Sequence, residues 1–157
     1  MKSEIWVDLE GTIIPHWNQM DEFINMEKLE LLIDKFKPES MGVYSYAVWS
    51  SENYTALRQS KLMQHLSEMM NNTYIHVRTT EEMAMDWYAL HRHKYVQTTP
   101  TEIWNQPKEF AFLMTVNRMI QNGSDTKLFI LFDDTAPHGK NYIIDNDVTV
   151  VFVNPDA

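Results

Sequence analysis

The stretch "EIWVDLEGTIIP", residues 4–15, joins a short apolar run to an abrupt polar end. Residues 4–8 have the apolar content and length of a buried β-strand. Asp8 closes this run, Glu10 follows two residues later, and Gly11 and Thr12 come next. Glycine adopts the backbone angles of a tight turn at little cost. The stretch therefore predicts a strand that ends in a turn carrying two carboxylates.

Outside this stretch, the chain alternates between strand and helix patterns. We predict four more strands, at residues 43–49, 73–77, 128–132 and 148–153, and helices at residues 24–36, 56–70, 81–96 and 108–120. The last two strands are nearly continuous apolar runs, as expected for strands that are covered on both faces. Such alternation predicts an α/β fold, a doubly wound, mainly parallel five-stranded sheet with helices on both faces.

Length, charge and cysteine content narrow the class of protein. A chain of 157 residues with 44% hydrophobic residues most simply forms one domain, residues 1–157, with a possible small insertion around residues 79–106. The net charge of −9 disfavours a large nucleic-acid surface, and the absence of cysteine excludes disulfides and thiolate metal sites. We see neither a signal peptide nor a membrane span, and expect a cytoplasmic protein.

Chemically active side chains follow the predicted strands. Ligands of open α/β sheets bind beyond the carboxyl ends of the strands. The residues at those ends, with the lysine that opens the fourth helix, are Asp8, Glu10, Ser50, Ser51, Lys108, Asp133 and Asp134. Clustered carboxylates repel one another unless a cation joins them, and a site made of oxygen atoms alone suits Mg²⁺. Together with a lysine and a hydroxyl, such a cluster suits phosphoryl transfer.

Four short segments, "VDLEGTII", "AVWSS", "QPKEF" and "LFDDTAP", occur in this order along the chain. Their order and spacing resemble those of the haloacid dehalogenase (HAD) superfamily of phosphohydrolases, which implies a HAD-like Rossmannoid fold. The segment between Gly11 and the second predicted strand is too short for a helical cap, so we expect a nearly capless enzyme.

The resemblance implies a role for each site residue. Asp8 would be the nucleophile and a Mg²⁺ ligand, and Glu10 the general acid and base, with its backbone carbonyl on the metal. Lys108 would steady Asp8 and the phosphate, and either Ser50 or Ser51 would bind the phosphate. The remaining metal ligands would be Asp133, directly, and Asp134, through water.

Glu10 departs from the usual family motif, which has aspartate at this position. Some members, the enolase-phosphatases among them, carry the same D-x-E-G-T variant. The extra methylene changes the geometry by about a bond length, and a displacement of about 1 Å can matter in catalysis. A response-regulator receiver also clusters aspartates with lysine, but its acidic pair follows the first strand rather than a later one, so the order of the motifs disfavours it.

The sequence thus predicts a Mg²⁺-dependent phosphomonoesterase that acts through an aspartyl-phosphate on a nucleotide or another small phosphorylated metabolite. One alternative is a polynucleotide-end phosphatase, whose basic track would include Arg58, Lys61, Arg78, Arg92 and Lys94. Another is a non-catalytic HAD-like binding domain. Trp17, Trp49 and Trp104 lie near the motifs, where Trp17 could touch a substrate and the other two could stack on a base, although such aromatic residues more often pack in a core.

Overall fold

A six-stranded sheet forms the centre of the structure, a computed structural model that describes residues 1–91 and 103–157. The strands are β1 (Ser3–Val7), β2 (Ser40–Tyr44), β3 (Ile75–Arg78), β4 (Leu128–Phe132), β5 (Asn141–Ile144) and β6 (Val148–Val153). Their order across the sheet is β3-β2-β1-β4-β6-β5. All neighbours pair in parallel except β5 and β6, which are antiparallel. The predicted α/β class with a mainly parallel sheet is confirmed.

The predicted count of five strands was wrong, because β5 was missed. This strand is short and largely exposed, and it has no long apolar run of its own. It joins β6 through the three-residue turn 145–147, in which Asp145 and Asn146 have φ angles of 54° and 60°. Asparagine and aspartate tolerate this left-handed backbone, so the turn was the available signal for a hairpin.

Strand β2 lies earlier in the chain than residues 43–49. Lys37 ends the preceding helix in a left-handed conformation, and β2 begins at Ser40. After Tyr44 the chain turns, and the Ser45 hydroxyl accepts a hydrogen bond from the Ala47 N–H at 3.2 Å. The apolar character of the following residues comes from a loop that packs inward, since Val48 is fully buried.

Five helices flank the sheet within the described residues: α1 (Met26–Phe36), α2 (Ser51–Arg58), α3 (Lys61–Met69), α4 (Thr80–His91) and α5 (Lys108–Gln121). A 3-10 turn covers Trp17–Gln19. The helix predicted over residues 56–70 is interrupted, because Ser60 caps α3 by accepting a hydrogen bond from the Met63 N–H. Part of the helix predicted over residues 81–96, and part of the possible insertion around residues 79–106, lie outside the described residues.

The sheet separates two apolar layers. On one face Ile5, Val7 and Ile130 pack with residues of α1 and α3, among them Leu29 and Leu66. The other layer contains Trp6, Tyr44 and Leu131, packed with residues of α4 and α5. Each fully buried large apolar side chain contributes about 1.5–3 kcal/mol. Helices therefore cover both faces, as predicted. No helix in the described ranges has both the length and the apolar character needed to cross a membrane.

Gly42 provides a test of how β1 and β2 pack. It is opposite Trp6 in the register, and a Cβ atom at Gly42 would lie 2.3 Å from the Trp6 ring. We expect Gly42→Ala to reduce the free energy of unfolding by about 1–3 kcal/mol through overpacking. Urea unfolding measures this change. The same substitution in a Trp6→Leu background should cost much less, because the clashing ring is gone; an equal cost in both backgrounds would contradict this explanation.

Candidate active site

The carboxyl ends of β1 and β4 bring three aspartates together. The Asp8 N–H donates to the Phe132 carbonyl at 2.9 Å, which sets the end of β1 beside that of β4. One carboxylate oxygen from each of Asp8, Asp133 and Asp134 lies within 4.8 Å of the others. Asp8 is 7% exposed and Asp133 is fully buried. These three residues could hold a metal ion.

Lys108 joins the two buried carboxylates. It is the first residue of α5, and its Nζ lies 2.7 Å from Asp8 Oδ1 and 2.7 Å from Asp133 Oδ2. The ammonium also lies 5.3 Å from the centre of the Tyr46 ring. With all three aspartates ionised, three carboxylates and one ammonium leave two negative charges in the cluster. The cluster therefore favours a further cation.

The ionisation of these groups follows from burial and from their contacts. Burial raises the pKa of Asp8 to about 6, against the lowering effect of Lys108 and with a further rise from Asp133. Burial also opposes ionisation of Asp133, but Lys108 and the hydrogen bonds from Thr135 outweigh it and lower the pKa of this carboxyl. Burial and the charge of Asp133 raise the pKa of Asp134. Burial opposes the charge on Lys108, yet Asp8 and Asp133 raise its pKa, so the lysine stays protonated.

The turn after β1 is hydrogen-bonded to, and packs closely against, the acidic pair after β4. The Thr12 hydroxyl accepts from the Asp134 N–H at 2.9 Å and lies 3.2 Å from both Asp8 Oδ2 and Asp134 Oδ1, where it can donate. Gly11 has a φ of +77°, and a Cβ atom there would lie 2.3 Å from Asp134 Oδ2. A larger residue at this position would have a strained backbone and would displace Asp134. Both the turn after β1 and the position of Asp134 therefore require glycine here.

Glu10 lies at the mouth of the site, outside the aspartate cluster. Its side chain is exposed, and its Oε2 accepts from the Trp17 N–H at 3.2 Å. It nevertheless lines the same cavity of about 510 Å³ as Asp8, Asp134 and Lys108. The structure thus brings together Asp8, Glu10, Lys108, Asp133 and Asp134, five of the seven residues that the sequence predicted for the site.

The structure does not bring Ser50 and Ser51 into this cavity, because β2 ends before them. Ser50 caps α2 by accepting from the Asn53 N–H at 3.1 Å, and Ser51 is the first residue of that helix. The residue that follows β2 is Ser45, which is buried and lines the cavity with Asp8. Sequence reasoning missed Ser45, because residues 43–49 were predicted as one strand; the available signal was a polar residue inside that apolar run.

A second cavity, of about 620 Å³, lies along β3 and contains Ser50 and Ser51. Its arginines are engaged by the protein: Arg58 donates to the Tyr54 hydroxyl at 3.0 Å, and Arg78 donates to the buried Asp86 at 3.0 Å. Neither arginine lines the cavity that holds Asp8, and Lys61 is an exposed residue at the start of α3. Arg92 and Lys94, the other members of the predicted basic track, lie outside the described residues.

Comparisons of the chain with protein-family models, curated protein sequences and solved structures found no match. The chemistry assigned to the site therefore depends on its own geometry.

A divalent cation should stabilise the fold through the aspartate cluster. We expect saturating Mg²⁺ at about 100 times its dissociation constant to add about 2.7 kcal/mol to the free energy of unfolding, because a ligand of the native state stabilises it by mass action. Chemical unfolding with and without chelator measures the gain. Asp133→Asn should abolish it. Asp147→Asn, at an exposed aspartate paired with Lys127, should retain it. Equal gains in the two variants would contradict the proposed location of the metal site.

Proposed function

We propose that this protein is a nearly capless phosphomonoesterase of the HAD type. It would require Mg²⁺, act through an aspartyl-phosphate and use a nucleotide or another small phosphorylated metabolite as substrate. The observation that supports this most directly is the contact of Lys108 Nζ, at 2.7 Å, with both Asp8 and Asp133, beside Asp134 at the carboxyl edge of the sheet. The cluster combines a buried nucleophile, a fixed ammonium and a set of oxygen donors.

The donor set fits magnesium. Asp8, Asp133 and Asp134 offer only oxygen atoms, and their surplus of negative charge calls for a hard cation. These residues would hold the ion. When bound, Mg²⁺ would neutralise charge on the phosphoryl oxygens and draw the phosphate towards the cluster.

Each side chain has a distinct role in the proposed reaction. A carboxylate oxygen of Asp8 attacks phosphorus, forming an oxygen–phosphorus bond as the bond to the leaving oxygen breaks. The Glu10 carboxyl group donates its proton to that oxygen. Glu10 then takes a proton from water, which attacks the aspartyl-phosphate, releases inorganic phosphate and restores Asp8. Lys108 stabilises the negative charge on the phosphoryl group.

Ser45 takes the phosphate-holding role that the sequence assigned to Ser50 or Ser51. It follows β2 directly and lines the cavity with Asp8, so its hydroxyl is close to where the phosphoryl oxygens would bind. Hydrogen bonds from a hydroxyl group to those oxygens strengthen as charge develops in the transition state.

One observation favours a second candidate, a HAD-like domain that binds a phosphorylated ligand without hydrolysing it. The Glu10 carboxylate is exposed and accepts a hydrogen bond from the Trp17 backbone, so it must turn to meet a leaving oxygen. A general acid has to be within hydrogen-bond reach of the atom that it protonates. Loss of that reach would leave binding intact and remove turnover.

Phosphate release from a generic aryl phosphate and from a panel of nucleotides tests the two candidates. We expect Mg²⁺-dependent release that falls by at least about a thousandfold in Asp8→Asn, because the nucleophile is gone. Asp147→Asn is the matched control and should keep full activity. Glu10→Gln should lose activity with an alkyl leaving group, whereas Glu10→Asp should keep part of it. Tight binding of a phosphonate without turnover of any ester would instead support the binding domain.

The affinity for Mg²⁺ should weaken in acid. Asp8 has a raised pKa of about 6, so below that pH a proton occupies a carboxylate that the metal requires. Each pH unit below the pKa should weaken the apparent affinity about tenfold, and above the pKa the affinity should level off. Isothermal titration calorimetry across this range measures the effect. A constant affinity from about pH 5 to about pH 7.5 would contradict the titration of Asp8 at the metal site in this range.

A further inference from the structure

Three tryptophans surround a cleft that adjoins the candidate active site. Trp17, Trp49 and Trp104 line a cavity of about 380 Å³ together with Glu10 and Tyr46, among others. Glu10 and Tyr46 also line the cavity that holds Asp8. The two cavities therefore adjoin at these residues, and the cleft begins at the residue to which we assign protonation of the leaving oxygen.

Two of these rings are exposed to an extent that packing does not explain. Trp49 is 55% exposed and Trp104 is 40% exposed, and among the described residues neither belongs to the two apolar layers beside the sheet. Their centroids are 6.3 Å apart and their planes are nearly perpendicular, at 88°. In an edge-to-face pair, the ring that presents its edge keeps its faces free. Large exposed aromatic surface beside a polar cavity is typical of a ligand-binding site.

Hydrogen bonds hold the walls of the cleft in place. The Trp104 indole N–H donates to the Tyr46 carbonyl at 3.2 Å, and the Tyr46 hydroxyl donates to the Gln106 carbonyl at 2.9 Å. The Asn53 amide donates to the Ala47 carbonyl at 2.8 Å. Trp17 is linked to Glu10 through its backbone N–H. Because Trp104 and Tyr46 are already held by these bonds, their side chains would lose little entropy when a flat ligand binds.

We propose that this cleft binds the leaving group of the phosphate ester and selects a planar aromatic or heteroaromatic ring. The inference rests on the proposed function, because it places the phosphate at Asp8 and the leaving oxygen near Glu10. Because the two rings are nearly perpendicular, one of Trp49 and Trp104 would stack on the flat face of the ligand and the other would contact its edge. Stacking on an aromatic side chain favours a planar group over a non-planar one by roughly tenfold to a hundredfold. A nucleobase and an aryl ring share this chemistry.

Two matched pairs of substrates measure the contribution of a planar ring to kcat/KM. Benzyl phosphate and cyclohexylmethyl phosphate have similar size and similar primary-alcohol leaving groups, but only the first is planar. A nucleoside 5′-monophosphate and ribose 5-phosphate share the leaving hydroxyl and differ by the base. We expect kcat/KM to be at least about tenfold higher for the ring-bearing member of a pair. Preference in both pairs supports a nucleobase, and preference in the benzyl pair alone supports an aryl group.

Variants locate the preference within the cleft. Trp49→Ala and Trp104→Phe should reduce the ratio within each pair, Trp49→Ala towards one, because kcat/KM should fall more for the ring-bearing member than for its partner. Trp49 is the more exposed ring, so its replacement is the less disruptive of the two. Tyr88→Ala is the control, since Tyr88 is 45% exposed on α4 and lines neither the cleft nor the Asp8 cavity. Equal ratios in wild type and in Trp49→Ala would overturn the inference.

Binding without turnover separates this inference from the proposed function. The Asp8→Asn variant is titrated with benzylphosphonate and cyclohexylmethylphosphonate, with Mg²⁺ present, by calorimetry. Tighter binding of the benzyl compound, lost on adding Trp49→Ala, supports the aromatic cleft even if no ester is hydrolysed. The aromatic cleft is contradicted if the wild type hydrolyses both esters at equal kcat/KM and the two phosphonates bind equally. That result would still support the proposed phosphatase.

Discussion

Two aspartates, Asp8 and Asp133, are buried side by side and share a single ammonium group, that of Lys108. Charge-assisted hydrogen bonds of 2.7 Å are among the stronger polar contacts in proteins. They are needed here, because removing one partner of a buried ion pair leaves an uncompensated charge that costs about 3–5 kcal/mol. The parallel pairing of β1 with β4 places the two carboxylates together, and α5 brings the compensating ammonium of Lys108 between them.

The position of Lys108 depends on how α5 is held against the sheet. Phe112 and Val116 of α5 are buried in the same layer as Trp6 and Tyr44. A series of buried hydrogen bonds also orients α5. The Tyr44 and Thr115 hydroxyls lie 2.9 Å apart, and the Thr115 hydroxyl donates to Asp86 at 2.8 Å. Asp86 in turn accepts a hydrogen bond from Arg78 at the end of β3. A fully paired buried network of this kind fixes the rotation of a helix as well as its position, so contacts far from the cluster determine where the ammonium lies.

The sequence predicted correctly the positions of site residues that lie next to a strand or helix with a clear hydrophobic pattern. Asp8 and Asp133 directly follow apolar strands, and Lys108 opens an amphipathic helix, so all three could be placed before any contact was known. The end of β2 could not be predicted, because residues 46–49 are apolar although they belong to a loop and not to the strand. Val48 is buried in this loop, and its backbone carbonyl accepts a hydrogen bond from the Thr80 hydroxyl. Local apolar content reports burial, and burial alone does not distinguish a strand from a packed loop. The exposure of Trp49 was unpredictable for the same reason.

The single turn after β1 presents two carboxylates to different surroundings. Asp8 is buried, contacts the Lys108 ammonium and lies within hydrogen-bond distance of the Thr12 hydroxyl, so its carboxyl group is held in position. Glu10, two residues later, is exposed, has a longer side chain and stands between the aspartate cluster and the aromatic cleft. When two carboxyl groups occupy such different environments, each suits a different role, and in the proposed reaction Asp8 would be the nucleophile and Glu10 the proton carrier. Gly11 makes this division possible, since only a residue without a Cβ lets the chain reverse against Asp134 and carry Glu10 out to the mouth of the site.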